Sequence, residues 1–136
     1  MKASDIMTLG AATIGPDASL SQALRIMIDH RISALPVLDD NRQLLGIVTE
    51  GDFVRSGVLA IDELLSKGGH DREKALGSRT VGEIMSRDPI TISPEASIQD
   101  VVKLMERHTL KLIPVASNGE ALGIIIRVDL LRMLIE

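Results

Sequence analysis

The chain has 136 residues, 45% hydrophobic and 25% charged, a composition that sustains a buried core and excludes disorder along its whole length. A net charge of -4 and a single aromatic, Phe53, exclude electrostatic capture of a nucleic-acid backbone and a stacking platform for single strands. With no cysteine there is no disulfide, thiolate metal site or thiol nucleophile. No apolar run nears the ~20 residues of a membrane span, and residues 1–10 lack a signal-peptide core, so the expectation is a cytoplasmic protein.

A short helix over Ala3–Met7 is predicted first, followed by an extended Thr13-Ile14 that Gly15-Pro16 ends. Ser19 with Gln22 reads as a capping box opening a helix. Its apolar stripe is Leu20, Ala23, Leu24, Met27 and Ile28. Ala34–Leu38 reads as a strand whose Pro36 places it at a sheet edge or strand start. A turn at 39–42 leads to a second strand, Leu44–Thr49, and a helix from Glu50 to Ser56. Residues 57–79 form a linker that is longer than usual. In it Val58, Leu59, Ile61, Leu64 and Leu65 extend the helix or form another, Gly68-Gly69 stops it, and His70–Lys74 is charged.

From residue 80 the order repeats, beginning with a short helix at Val81–Met85. Thr13–Leu20 returns as Thr91–Ile98 at an offset of 78, which also relates Met27 to Met105, His30 to His108 and Pro36-Val37 to Pro114-Val115. One residue is then lost in the turn, where Asn118-Gly119 signals a hairpin. An offset of 77 relates Gly46 to Gly123, Asp52 to Asp129 and Arg55 to Arg132. The expected fold is α/β (α+β): two β-α-β-β-α repeats, residues 1–56 and 80–136, packed about a pseudo-twofold axis because each is small for a core of its own.

The duplicated segments carry a resemblance. Asp5-Ile6-Met7, Ile32–Asp39 and Leu45–Asp52 in the first copy, with Glu83-Ile84-Met85, Lys111–Val115 and Leu122–Asp129 in the second, resemble a tandem pair of cystathionine-β-synthase (CBS) domains, a Bateman module. The resemblance implies two clefts between the copies that take adenosine-containing ligands, and regulation rather than catalysis. It implies an AMP, ADP, ATP, S-adenosylmethionine or NAD class of ligand, no required cofactor, and a separate regulated enzyme or transporter as partner.

Carried onto this sequence, the resemblance assigns Thr13, Ile14, Ala34, Leu35, Pro36, Thr49 and Asp52 to site one. It assigns Thr91, Ile92, Leu112, Ile113, Pro114, Arg127 and Asp129 to site two. The resemblance implies that the base lies between the first short strand and the proline-bearing strand, with backbone groups reading its edge, and that the Asp accepts from ribose hydroxyls. A carboxylate accepts two hydroxyl donors at once, which suits a vicinal diol. The bland account of Thr49-Glu50-Gly51-Asp52 is a capping box. Ile126 replaces Thr49, and Leu112 fills the place of small Ala34, so site one is expected to be the stronger.

His30, Arg31, His108 and Lys111 either complement helix C-termini or lie near ligand phosphates, and no metal site is expected. Ile26 and its counterpart Leu104 fall about 240° from the first residue of their apolar stripes. Together with Leu130, Leu131, Leu134 and Ile135 they are expected to form a homodimer surface. The sequence therefore points to a non-catalytic sensor of adenosyl ligands, with a dimeric protein-interaction module with vestigial clefts as the alternative. No nucleophile–base pair or phosphate loop of the Gly-rich Lys type speaks for an enzyme.

Overall fold

The computed structural model describes residues 1–58, 74 and 76–135. Its elements are α1 (Ala3–Ile6), α2 (Leu20–His30), β1 (Ala34–Leu38), β2 (Leu44–Thr49), α3 (Glu50–Arg55), α4 (Val81–Ile84), β3 (Ser86–Arg87), α5 (Ile98–His108), β4 (Leu112–Ser117), β5 (Glu120–Ile126) and α6 (Arg127–Arg132). The class is α+β, as the sequence implied. The linker positions Leu59, Ile61, Leu64, Leu65, Gly68, Gly69 and His70 lie outside the described residues.

Local chemistry sets the element ends. Ser19 accepts from the N–H of Gln22 at 3.1 Å, and the Gln22 side chain accepts from the N–H of Ser19 at 2.9 Å, the reciprocal box that starts α2. Arg31 and Thr109 close α2 and α5 in the left-handed region, at φ 54 and 52. Asn118 and Gly119 both have positive φ, the requirement of a type I′ turn, and join β4 to its antiparallel partner β5.

The prolines sit inside their strands. Pro36 lies mid-strand in β1, and Ile14 forms a single parallel bridge to Val37. The N–H of Ile14 donates to the carbonyl of Pro36 at 3.1 Å, and the N–H of Leu38 donates to the carbonyl of Ile14 at 2.9 Å. A residue's N and O point to the same side of a strand, so the missing proline N–H falls on the side where one residue pairs and the ladder stops. Pro114 repeats this with Ile92.

The residues form two compact units, drawn along different lines from the sequence repeats. One comprises 12–40 and 45–88; the other comprises 1–11, 41–44 and 89–136. Each repeat gives its opening helix to the other's unit. In the first unit, the N–H groups of Val81 and Gly82 donate to the carbonyls of Ala18 and Pro16 at 2.9 and 2.8 Å. In the second, the N–H groups of Ala3 and Ser4 donate to Ala96 and Pro94 at 2.8 and 3.0 Å. Val81 and Ala3 are fully buried in the receiving cores. After α4 the chain continues as β3, which pairs antiparallel with β2, Gly46 opposite Arg87 and Ile47 opposite Ser86. Its counterpart is a one-residue bridge from Thr8 to Ile124.

The first core gathers Leu20, Ala23, Met27, Leu35, Val37, Val48 and Phe53; the second gathers Val101, Met105, Ile113, Val115 and Ile125. Each large apolar side chain sealed in this way contributes roughly 1.5–3 kcal/mol. The helical stripes are rotated relative to the sequence reading. Ile26 and Leu104 are half-buried against the two cores, whereas Ile28 is 70% exposed and Val102 is 37% exposed. The buried arc of α2 centres on Leu20, Ala23 and Met27, and Ile26 flanks it on the core side. Ile26 and Leu104, expected at a homodimer surface, thus already have part of their side chains covered within their own units. Leu130 also packs against the second core, while Leu131, Leu134 and Ile135 are exposed.

Candidate functional site

Each unit has a strand that runs directly into a helix, and an Asp in the helix's first turn. In the first, β2 ends at Thr49, the N-cap of α3. The Thr49 hydroxyl accepts from the N–H of Asp52 at 3.1 Å, and Asp52 Oδ2 accepts from the Thr49 N–H at 2.9 Å and the Thr49 hydroxyl at 3.1 Å. The other oxygen, Oδ1, accepts from the Arg55 guanidinium at 2.9 Å and from the Ser86 hydroxyl at 2.8 Å. Asp52 is 5% exposed, the buried charged residue of the cores, and both of its oxygens are engaged. Removing a carboxylate from water requires such partners.

The second junction is built differently. Ile126 caps α6 without a side-chain hydrogen bond. Asp129 Oδ1 accepts from Arg132 at 3.1 Å, the counterpart of the Asp52–Arg55 pair. Asp129 Oδ2 is buried and, among the described residues, no donor reaches it. Thr8, the counterpart of Ser86, makes no hydrogen bond to Asp129 among the described residues. The two helix starts are anchored alike: the N–H of Glu50 donates to the Ser33 carbonyl at 3.1 Å, and that of Arg127 to the Lys111 carbonyl at 2.9 Å.

The other candidates divide by burial. Ala34, Leu35, Pro36, Leu112, Ile113 and Pro114 are buried, with Leu35 and Ile113 full members of the two cores. Ile14 and Ile92 are core residues too, and their N–H groups are spent on Pro36 and Pro114. Thr13 and Thr91 beside them are exposed. His30, Arg31, His108, Lys111 and Arg127 are exposed as well, and the backbone hydrogen bond above brings Lys111 and Arg127 together.

Sequence reasoning missed two partners of Asp52. Arg55 was legible as an i,i+3 partner that recurs in Arg132. Ser86 had no local signal, since it stands 34 residues from Asp52 and arrives through the exchanged strand. The repeat glycines point to that strand. A Cβ on Gly46 would stand 2.5 Å from the Ser86 carbonyl oxygen, and one on Gly123 2.8 Å from that of Thr8, so only glycine permits the approach.

The CBS domain family profile matches residues 3–58 and again 81–136. The chain belongs to the CBS domain family. It is a tandem CBS pair, as the duplicated segments implied. Hypoxic response protein 1 of Mycobacterium tuberculosis is 33% identical over 134 residues, covering 98% of this chain and 85% of the relative. The crystal structure of Hypoxic Response Protein I with two coordinated zinc ions matches with a TM-score of 0.77 and 30% identity, covering 97% of this chain and 98% of that one. The CBS domain pair of protein MJ0100, solved with 5-methylthioadenosine and S-adenosyl-L-methionine, matches with a TM-score of 0.77 and 25% identity over 98% of this chain and 95% of that one. Among the described residues no group of three or more His, Asp and Glu stands together as a metal ion would require. No helix among the described residues is long and apolar enough to cross a membrane.

Proposed function

We propose that this CBS pair is a non-catalytic, cytoplasmic regulatory module that binds an adenosine-containing ligand of the AMP, ADP, ATP, S-adenosylmethionine or NAD class and acts on a separate partner protein. The observation that carries the reading is a carboxylate at each strand-to-helix junction, the buried Asp52 and the half-buried Asp129, whose Oδ2 is shielded from solvent. Asp129 supports it most directly, because no protein donor among the described residues reaches its buried Oδ2, and a ligand hydroxyl would supply one. The adenosyl ligands of the MJ0100 pair support the ligand class. Thr13, Ala34, Leu35 and Pro36 beside Asp52, and Thr91, Leu112, Ile113 and Pro114 beside Asp129, form the apolar surroundings proposed for the base.

Calorimetric titration with the five ligands and their guanine counterparts tests this. A 2′-deoxy form should bind at least about tenfold more weakly than its ribose form, the loss of one hydrogen bond to a charged acceptor. Equal affinity of the two forms would confine both carboxylates to helix capping.

The second reading, a dimeric interaction module, has its own observation. A groove of about 470 Å³ runs between α5 and α6, lined by Val102, Met105, Leu130, Leu131 and Leu134, with Glu106 and Arg127 at its rim. Beside it Leu134 and Ile135 are 81% and 87% exposed. We propose that this face joins two copies. Light scattering at tens of micromolar should find a dimer that Leu131→Glu with Leu134→Glu converts to monomer. A wild-type monomer would discard the interface.

A further inference from the structure

The hydroxyl groups around Asp52 have an arrangement that its counterpart lacks. Thr49 donates an O–H to Oδ2 and Ser86 donates an O–H to Oδ1, so each carboxylate oxygen already holds one hydroxyl donor. A vicinal diol would bring the same two donors to the same acceptor. The Arg55 guanidinium and the Thr49 N–H add a donor on each side. A carboxylate offers about four acceptor positions, and here they are filled.

The two hydroxyls are not equally held. Thr49 is fixed by its role as N-cap, where its oxygen also accepts from the Asp52 N–H. Ser86 is an exposed residue of a two-residue strand, and its hydroxyl can turn to water without breaking the β2–β3 pairing. At the second junction Ile126 supplies no hydroxyl, Thr8 makes no bond to Asp129 among the described residues, and the buried Oδ2 stands without a donor.

We infer that the Ser86 hydroxyl is an internal competitor for the diol of a ligand at Asp52, so that the Asp129 site loads first and the Asp52 site is held in reserve by a residue of the exchanged strand. This rests on the adenosyl-binding reading above and inverts the ranking that Thr49 and Ala34 suggest from sequence. A ligand at Asp129 satisfies an oxygen that had no partner. One at Asp52 gains a hydroxyl contact only by giving up another, so its net hydrogen-bond gain there is small. Ser86 acts through Asp52 and is a positioning residue.

The test uses AMP as the probe in calorimetric titrations of four full-length proteins: wild type, D129N, D129N with S86A, and D129N with S86T. The wild type should show a tighter site that D129N removes. In the D129N background, S86A should tighten the remaining site roughly three- to tenfold, the worth of one net hydrogen bond. S86T, which restores a hydroxyl at an exposed strand position, should return it to the D129N value. A purely structural role for Ser86 predicts the opposite sign for S86A, because loosening β3 would weaken binding. An unchanged or weaker affinity in S86A, or a tight wild-type site that survives D129N and is lost in D52N, would overturn the inference alone. Absence of binding by AMP and by S-adenosylmethionine in all four proteins would bring down the functional reading, and this inference with it.

Discussion

The two strand-to-helix junctions share a backbone plan and an Asp–Arg pair at i,i+3, yet they treat their carboxylates differently. Asp52 receives donors from Thr49, Arg55 and Ser86; Asp129 receives one, from Arg132. Two substitutions account for the difference. Ile126 removes the cap hydroxyl, and Thr8 stands in a one-residue bridge where Ser86 stands in a paired strand. A duplicated fold therefore does not duplicate the electrostatic state of its equivalent side chains. That state is set by which donors arrive from elsewhere in the chain.

The comparison breaks most sharply at the glycines that admit the exchanged strands. Gly46→Ala should destabilise by about 3 kcal/mol and Gly123→Ala by about 1–2 kcal/mol, since the added Cβ meets backbone oxygen more closely in the first unit. Urea unfolding midpoints would measure both, and equal costs would mean that β2 can shift away from β3 freely. Asp52→Ala should cost about 2 kcal/mol, because it leaves the Thr49 N–H and the Ser86 hydroxyl without their acceptor. Asp129→Ala should cost under about 1 kcal/mol, since its Arg132 partner is 55% exposed and such pairs contribute little.

The sense of those effects follows from what could and could not be read in advance. The capping boxes at Ser19 and Thr49 were legible because their partners stand three residues away. The Ser86 contact was not, because nothing near Asp52 announces a strand arriving from the other repeat. The rotation of α2 and α5 was also missed: Ile26 and Ile28 lie on opposite flanks of the same stripe, and periodicity alone does not say which flank meets the core.

Supplying the missing donor sharpens the comparison from the other side. Ile126→Thr should restore the cap and place a hydroxyl beside Asp129, raising stability by roughly 0.5–1 kcal/mol in thermal unfolding. A loss would show that the half-buried Ile126 matters more as packing. The caps of the long helices offer a second matched pair. Ser19→Ala removes a reciprocal box and should cost about 1 kcal/mol; Ser97, which accepts from the Asp100 N–H without a return bond, should cost a few tenths less. Paired unfolding curves of the two variants would show whether the return bond contributes.

The sequence by itself determined the duplication, the family, the order of elements and the local caps and turns. These depend on spacings within a few residues or on the recurrence of a pattern, and both are visible in one dimension. Only the tertiary structure decided that each repeat donates its opening helix to the other's unit, which flank of α2 and α5 is covered, and that Asp52 is saturated while Asp129 Oδ2 is not. The physical reason is shared: each outcome depends on the atom that meets a group across tens of residues of chain, and that meeting is made by packing.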